Sequence, residues 1–246
     1  MSHLHRFYVP PETCLESDLA LPQPEAHHAL HVARVRVSET IVLFDGQGRE
    51  CLGHVARVAR REVIVTVDEV RMHAAQSKRV TLVQAWLNRE KSVESLIRRC
   101  TELGVTEFRF FRSAHSERAP VLNEKWPRIA IEACKQCGRF WLPRFGTADD
   151  FAEALRDVPS VCLIAVKADD AAPLCEVLAD APDAVAIAVG PEGDFSEDEL
   201  QVGRDCGARA ISLGDATYRS ETAAASMATL VLYELGELGP RGPCVT

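Results

Sequence analysis

Residues 184–189, AVAIAV, form an apolar run of six that stops at once on Gly190-Pro191-Glu192-Gly193. Six residues are too few to cross a membrane but suit a β-strand buried on both faces, and such a strand requires helices above and below it. The glycines that end it let a ligand approach the backbone closely. Ser196 with Glu199 three residues on is a capping box, so a helix is predicted from Glu197 to Gly207. A second short strand, Arg209 to Leu213, runs into Gly214. The polar cluster Asp215, Tyr218, Arg219, Ser220, Glu221 and Thr222 then opens an Ala-rich helix over 223–235. Two glycine turns thus follow two successive strand ends, the edge at which open α/β sheets hold ligands. Each turn taken alone also reads as an ordinary strand-to-helix loop. Neither carries G-x-G-x-x-G or G-x-x-x-x-G-K-[ST], which argues against a dinucleotide fold and a P-loop.

The rest of the chain supplies the layers that such a strand needs. Val80 to Leu87 reads as a strand, and Val93, Leu96, Ile97, Cys100 and Leu103 recur at helical spacing before Gly104. Val105 to Phe111 is the next strand, with the polar loop RSAHSER over 112–118 at its carboxyl end. Pro127 marks a helix start, with Ala130, Ala133, Cys134 and Cys137 as a small-residue stripe and Arg128, Glu132, Lys135 and Arg139 outside it. With Val161 to Val166 added, strands alternate with helices, which predicts a largely parallel sheet. Before it, four short alternating segments between His5 and Val70 predict an all-β module, with Asp45-Gly46-Gln47-Gly48 as a hairpin turn. Residues 1–71 are therefore expected to form one domain, 72–79 a linker and 80–246 a second domain.

At 246 residues, 47% apolar and 26% charged, the chain has an ordinary globular composition. The start, MSHLHRFYVPPETC, lacks an apolar targeting core and no apolar run reaches spanning length, so a cytoplasmic protein is expected. Nine cysteines without framework spacing fit reduced thiols. A single Cys134/Cys137 pair, and His27, His28 and His31 without acidic or thiol companions, give no ligand set, so no metal is expected. The formal charge of −8 is unevenly spread. Lys and Arg number 7 against 10 Asp and Glu in residues 1–70, 15 against 7 in 71–145, and 6 against 19 in 146–246. The basic middle third is the footprint expected for a polyanion, or equally an Arg-rich solvated face.

GPEGDFS at 190–196 followed by LGDATYRSETA at 213–223 resembles the paired signature of the SPOUT methyltransferases, specifically the ribosomal RNA small subunit methyltransferase E family. CTELGV, HSERAP and IEACKQCGR resemble further segments of that family in order and spacing, and residues 27–48 resemble its N-terminal pattern more weakly. The resemblance implies a trefoil-knotted α/β domain preceded by a small all-β PUA-like barrel that binds RNA. It also implies S-adenosylmethionine as methyl donor, a homodimer, and methylation of N3 of one uridine in the 16S rRNA of the 30S subunit. The chain departs from the pattern at Asp194, where a third Gly is usual, at Thr217-Tyr218, where two aliphatics are usual, and at Ser92, where a Lys is common.

On that resemblance, the cofactor falls to Val166, Val189, Gly190, Ser212, Leu213 and Gly214, with Glu192, Gly193, Tyr218 and Thr222. Arg219 and Glu221 fall to catalysis, because the N3 proton must be taken by a base or the anion stabilised by a cation. They would otherwise be a helix-end ion pair. Arg6, Arg34, Arg36, Lys91, Arg118 and Arg139 are the candidate RNA contacts, each otherwise a surface charge. The small-residue face Ala223, Ala224, Ala225, Ser226 and Ala228 falls to the dimer or to packing inside the chain. Two other readings stay open: a SPOUT enzyme acting on another RNA, and an RNA-binding assembly factor without catalysis.

Overall fold

The computed structural model describes residues 4–13, 18–159, 161–168 and 171–239. It divides into two compact units, one of Met1–Ala75 with Ile131–Leu142, the other of Gln76–Ala130 with Pro143–Thr246.

The first unit contains β1 (His5–Tyr8), β2 (Asp18–Ala20), α1 (Gln23–His28) running into a π-helical turn Ala29–Ala33, β3 (Thr40–Phe44), β4 (Arg49–Val58) and β5 (Val63–Met72). Its sheet has the order β1-β3-β4-β5-β2, and only the β1–β3 pairing is parallel. Period-2 burial drives it: Cys51, Val55, Val63 and Val65 point inward with Phe7, Ile41 and Leu43. The β3–β4 turn forms as its sequence predicts, with Gly46 and Gly48 at φ 74° and 92°. The buried Asp45 accepts from the backbone N–H of Gln47 and Arg49 at 2.8 and 3.1 Å. The all-β expectation omitted α1 and the π-turn. Two prolines beside polar residues mask that segment, yet Ala26 and Ala29 are buried and complete the core.

The second unit follows with β6 (Arg79–Ala85), α2 (Glu90–Leu103), β7 (Glu107–Phe111), α3 (Lys125–Cys137), β8 (Arg144–Ala148), α4 (Phe151–Ala154), β9 (Val161–Ala165), α5 (Leu174–Val177), β10 (Ala184–Val189), α6 (Glu197–Asp205), β11 (Arg209–Ile211) and α7 (Ser220–Glu234). All six strands are parallel, in the order β11-β9-β10-β6-β7-β8. β10, the run AVAIAV, lies between β9 and β6 and is buried on both faces. Ala186 and Ala188 join Val83, Phe111, Phe151, Ile164 and Phe195 in one core, while α7 packs on α2 and against β10 and β6. The second half of α3 belongs to the first unit. Lys135 was placed outside the α3 stripe, but it is buried there and its Nζ donates to Glu25 Oε1 and Oε2 at 3.2 and 3.0 Å and to Glu132 at 2.9 Å. A partner more than a hundred residues away gives helical spacing nothing to detect. Cys134 is buried as expected of a small thiol, whereas Cys137 is exposed.

Candidate active site

Parallel register brings three strand ends to one level. Val189 of β10 lies opposite Ala165 of β9, and Ala165 lies opposite Ile211 of β11. Beyond these ends lies a cavity of about 400 Å³. Of the residues expected to hold a cofactor, Val166, Val189, Gly190, Glu192, Leu213, Gly214 and Tyr218 line it, and so does Arg219. Gly193, Ser212 and Thr222 lie outside the lining. Ser212 acts on the loop instead, its Oγ accepting from the Gly214 N–H at 3.1 Å. Some backbone groups offered by the sequence are already used: the Val166 N–H donates to Ile211 O at 3.1 Å, and the Gly190 carbonyl accepts from Ser220 Oγ.

That last bond belongs to a buried network which sequence reasoning missed. Gln84, inside the apolar strand β6, is fully buried, and its Nε2 donates to Ser220 Oγ at 2.9 Å and to Ala85 O at 3.0 Å. Ser220 Oγ in turn donates to Gly190 O at 2.5 Å. The end of β6, the turn after β10 and the start of α7 are thus tied beneath the cavity. The helix accordingly begins at Ser220, three residues before its predicted start, and its first turn holds Glu221 and Thr222. Lys167 also lines the cavity, its Nζ donating to Asp215 O at 2.7 Å across the two loops. Its place two residues after β9 was the available signal.

Arg219 and Glu221 do not pair. Arg219, at the position before α7 with φ −64° and ψ 148°, is exposed. Glu221 is half-buried and accepts from Ser92 Oγ of α2 at 3.2 Å. Ser92 therefore supplies a hydroxyl to the carboxylate where the family commonly carries an ammonium.

Residues 74–232 match the RNA methyltransferase domain family and residues 21–68 the RNA methyltransferase PUA domain family. The ribosomal RNA small subunit methyltransferase E of Mycobacterium bovis is 30% identical over 82% of this chain and 80% of its own. The chain belongs to this methyltransferase E family. The Synechocystis enzyme of the same name is 29% identical over 89% of this chain and 74% of its own. A solved methyltransferase E from Neisseria gonorrhoeae, bound to S-adenosyl methionine, superposes with a TM-score of 0.81 at 28% identity over 94% of this chain and 98% of that one.

As a methyltransferase E chain it has a β-sheet PUA domain followed by a parallel α/β RNA methyltransferase domain. Its candidate RNA contacts divide by how free they are. Arg34, at φ 55° after the π-turn, and Arg36 are exposed on one loop, where the Arg36 N–H is tied to Glu39 Oε2 at 2.9 Å. Lys91 and Arg118 are exposed on the second unit. Arg6 is committed to the fold. Its guanidinium lies 4.4 Å from the Phe140 ring centroid and 5.4 Å from that of Phe44, Nη2 donates to Arg139 O at 3.2 Å, and burial pulls its pKa down. Arg139 is half-buried beside it. The small-residue face of α7 is divided too: Ala224 and Ala228 are fully buried within the chain, and Leu230 and Tyr233 are exposed. No helix among the described residues is long and apolar enough to cross a membrane.

Proposed function

We propose that this chain transfers the methyl group of S-adenosylmethionine to N3 of a uridine in the 16S rRNA of the small subunit, and that it does so as a homodimer. The observation that carries the reading is the cavity at the level ends of β9, β10 and β11, with Arg219 in its lining and Glu221 two residues on. At about 400 Å³ it falls within the roughly 300–1,000 Å³ of small-molecule sites. Val166, Val189, Ile211 and Leu213 give it apolar walls suited to an adenine face.

The sulfonium donor supplies an activated methyl for in-line displacement, so the protein's task is positioning and charge. N3 of uracil carries a proton that must leave before attack. Arg219 offers its guanidinium to the anion that remains. Glu221, oriented by Ser92 Oγ, is the carboxylate that takes the proton. Arg34, Arg36, Lys91 and Arg118 hold phosphates, which fixes register without reading sequence. A base must leave its stack to enter a recess behind strand ends, so the target is a flexible or single-stranded site. For the dimer, the exposed Leu230 of α7 and Tyr218 share a shallow pocket with the half-buried Leu213, and Tyr233 of α7 is exposed as well.

Labelled S-adenosylmethionine incubated with the protein and either 30S subunits or naked 16S rRNA tests the reading, with sedimentation reporting the assembly. Label incorporated into one of these RNAs by a dimer supports it. Cofactor bound in calorimetry with no label in either RNA moves the substrate to another RNA, and no cofactor binding leaves an RNA-binding factor.

A further inference from the structure

The turn after β10 is gripped from outside by a residue that the reaction does not use. His115 lies in the loop after β7, and its Nδ1 stands 2.8 Å from the carbonyl oxygen of Asp194. A carbonyl only accepts, so Nδ1 carries the proton and donates. The imidazole also lies against Gly193, where a Cβ would come within 3.1 Å of His115 Cβ and 3.2 Å of Cγ. A side chain at 193 and the ring at 115 therefore compete for one space.

Asp194 lines the cavity and has φ 62°, a left-handed conformation unusual for a residue with a side chain. Its N–H donates to Pro191 O at 3.1 Å, and Oδ1 accepts from the Phe195 N–H at 2.8 Å. The His115 donor takes its carbonyl. The loop that carries His115 is itself anchored, since Ala114 N–H and Ser113 Oγ donate to the Glu199 carboxylate at 3.0 and 3.3 Å and Ser116 Oγ donates to Trp86 O at 2.8 Å. Glu199 is also the capping-box residue of α6, whose N-cap Ser196 lies two residues after Asp194.

We propose that His115 is a positioning residue for the cofactor cavity. By holding the Asp194 carbonyl it fixes the wall formed by Gly190, Pro191, Glu192 and Asp194 and joins that wall to the basic loop Arg112–Arg118. The inference rests on reading the cavity as the S-adenosylmethionine site. Losing one neutral hydrogen bond that orders a binding wall changes affinity about three- to tenfold. Because a saturating cofactor restores the wall, the loss belongs in KM rather than kcat.

The test compares wild type, His115→Ala and His115→Asn, an asparagine placing an N–H donor where Nδ1 stood. Calorimetric Kd for S-adenosylmethionine, steady-state KM and kcat, and the unfolding midpoint are measured for each. The expected result is a Kd and KM raised about three- to tenfold in His115→Ala, with kcat within about twofold, and recovery of most of the loss in His115→Asn. A wild-type Kd in His115→Ala overturns the inference, whether or not the midpoint falls. An asparagine variant as weak as the alanine one also overturns it, assigning the effect to ring packing alone. A wild type that binds no S-adenosylmethionine overturns the cavity reading, and the inference with it.

Discussion

Asp194 shows how one residue accommodates a departure from its family's pattern. A glycine is usual there because φ is positive, and Asp meets the same demand by bonding Oδ1 to the next N–H at 2.8 Å. Asp194→Ala keeps the conformational cost and loses the bond, so urea unfolding should show a loss of about 1–2 kcal/mol. Asp194→Gly removes cost and bond together and should stay within about 0.5 kcal/mol of wild type; equal losses in the two variants would contradict this account. His28 is a second case. Its Nδ1 accepts from the buried Lys135 ammonium at 3.0 Å, and burial first, then that charge, holds the imidazole below its ordinary pKa. The unfolded chain therefore takes up the proton first. Stability is full above the ordinary value of about 6.5 and declines as pH falls toward the lower folded value. Urea midpoints should fall with acidification through that window, and His28→Gln should flatten the slope. The state of His28 was beyond sequence reading because it depends on Lys135, which is remote along the chain.

Among the elements, legibility follows how local the cause is. β10 was readable in full because six apolar residues between a polar stretch and Gly-Pro allow little else, and α6 because Ser196 and Glu199 signal its start within four residues. Strand β8, RFGTA, was missed: it is a sheet edge with a central glycine and burial only at Ala148. The start of α7 was placed late because Ser220, Glu221 and Thr222 read as loop, while the bonds that hold Ser220 come from Gln84 and Gly190. The capping box of α6 yields a graded prediction. Ser196→Ala removes one cap bond and should cost about 1 kcal/mol. Glu199→Ala also strips Ser113 and Ala114 of their acceptor and should cost about 2–3 kcal/mol. Thermal unfolding of both variants checks the order, and a Ser196 variant as unstable as the Glu199 variant would refute it.

At the scale of the whole molecule, the −8 chain places its positive charge in the middle third, and that asymmetry was visible from residue counts alone. Which cations are free was not visible, since Arg6 is spent on Phe140 and the Arg139 carbonyl. Arg34→Ala should weaken RNA binding and lower the salt slope of log Kd by about 0.7–0.9 with little change in stability. Arg6→Ala should instead lower the unfolding midpoint, and filter binding across a salt series with parallel melts separates the two. The knot implied by the resemblance was illegible for a different reason: threading alters no residue's local preferences, so no pattern can encode it. Under the proposed function Arg219, in the cavity lining, enables methylation at uridine N3. Nucleoside analysis of 30S RNA after incubation with S-adenosylmethionine and either wild type or Arg219→Ala tests it directly. The account predicts N3-methyluridine from wild type and a loss of at least about a hundredfold in the variant, with the cofactor Kd retained. Methyl on another nucleoside, or undiminished N3-methyluridine from Arg219→Ala, would contradict it.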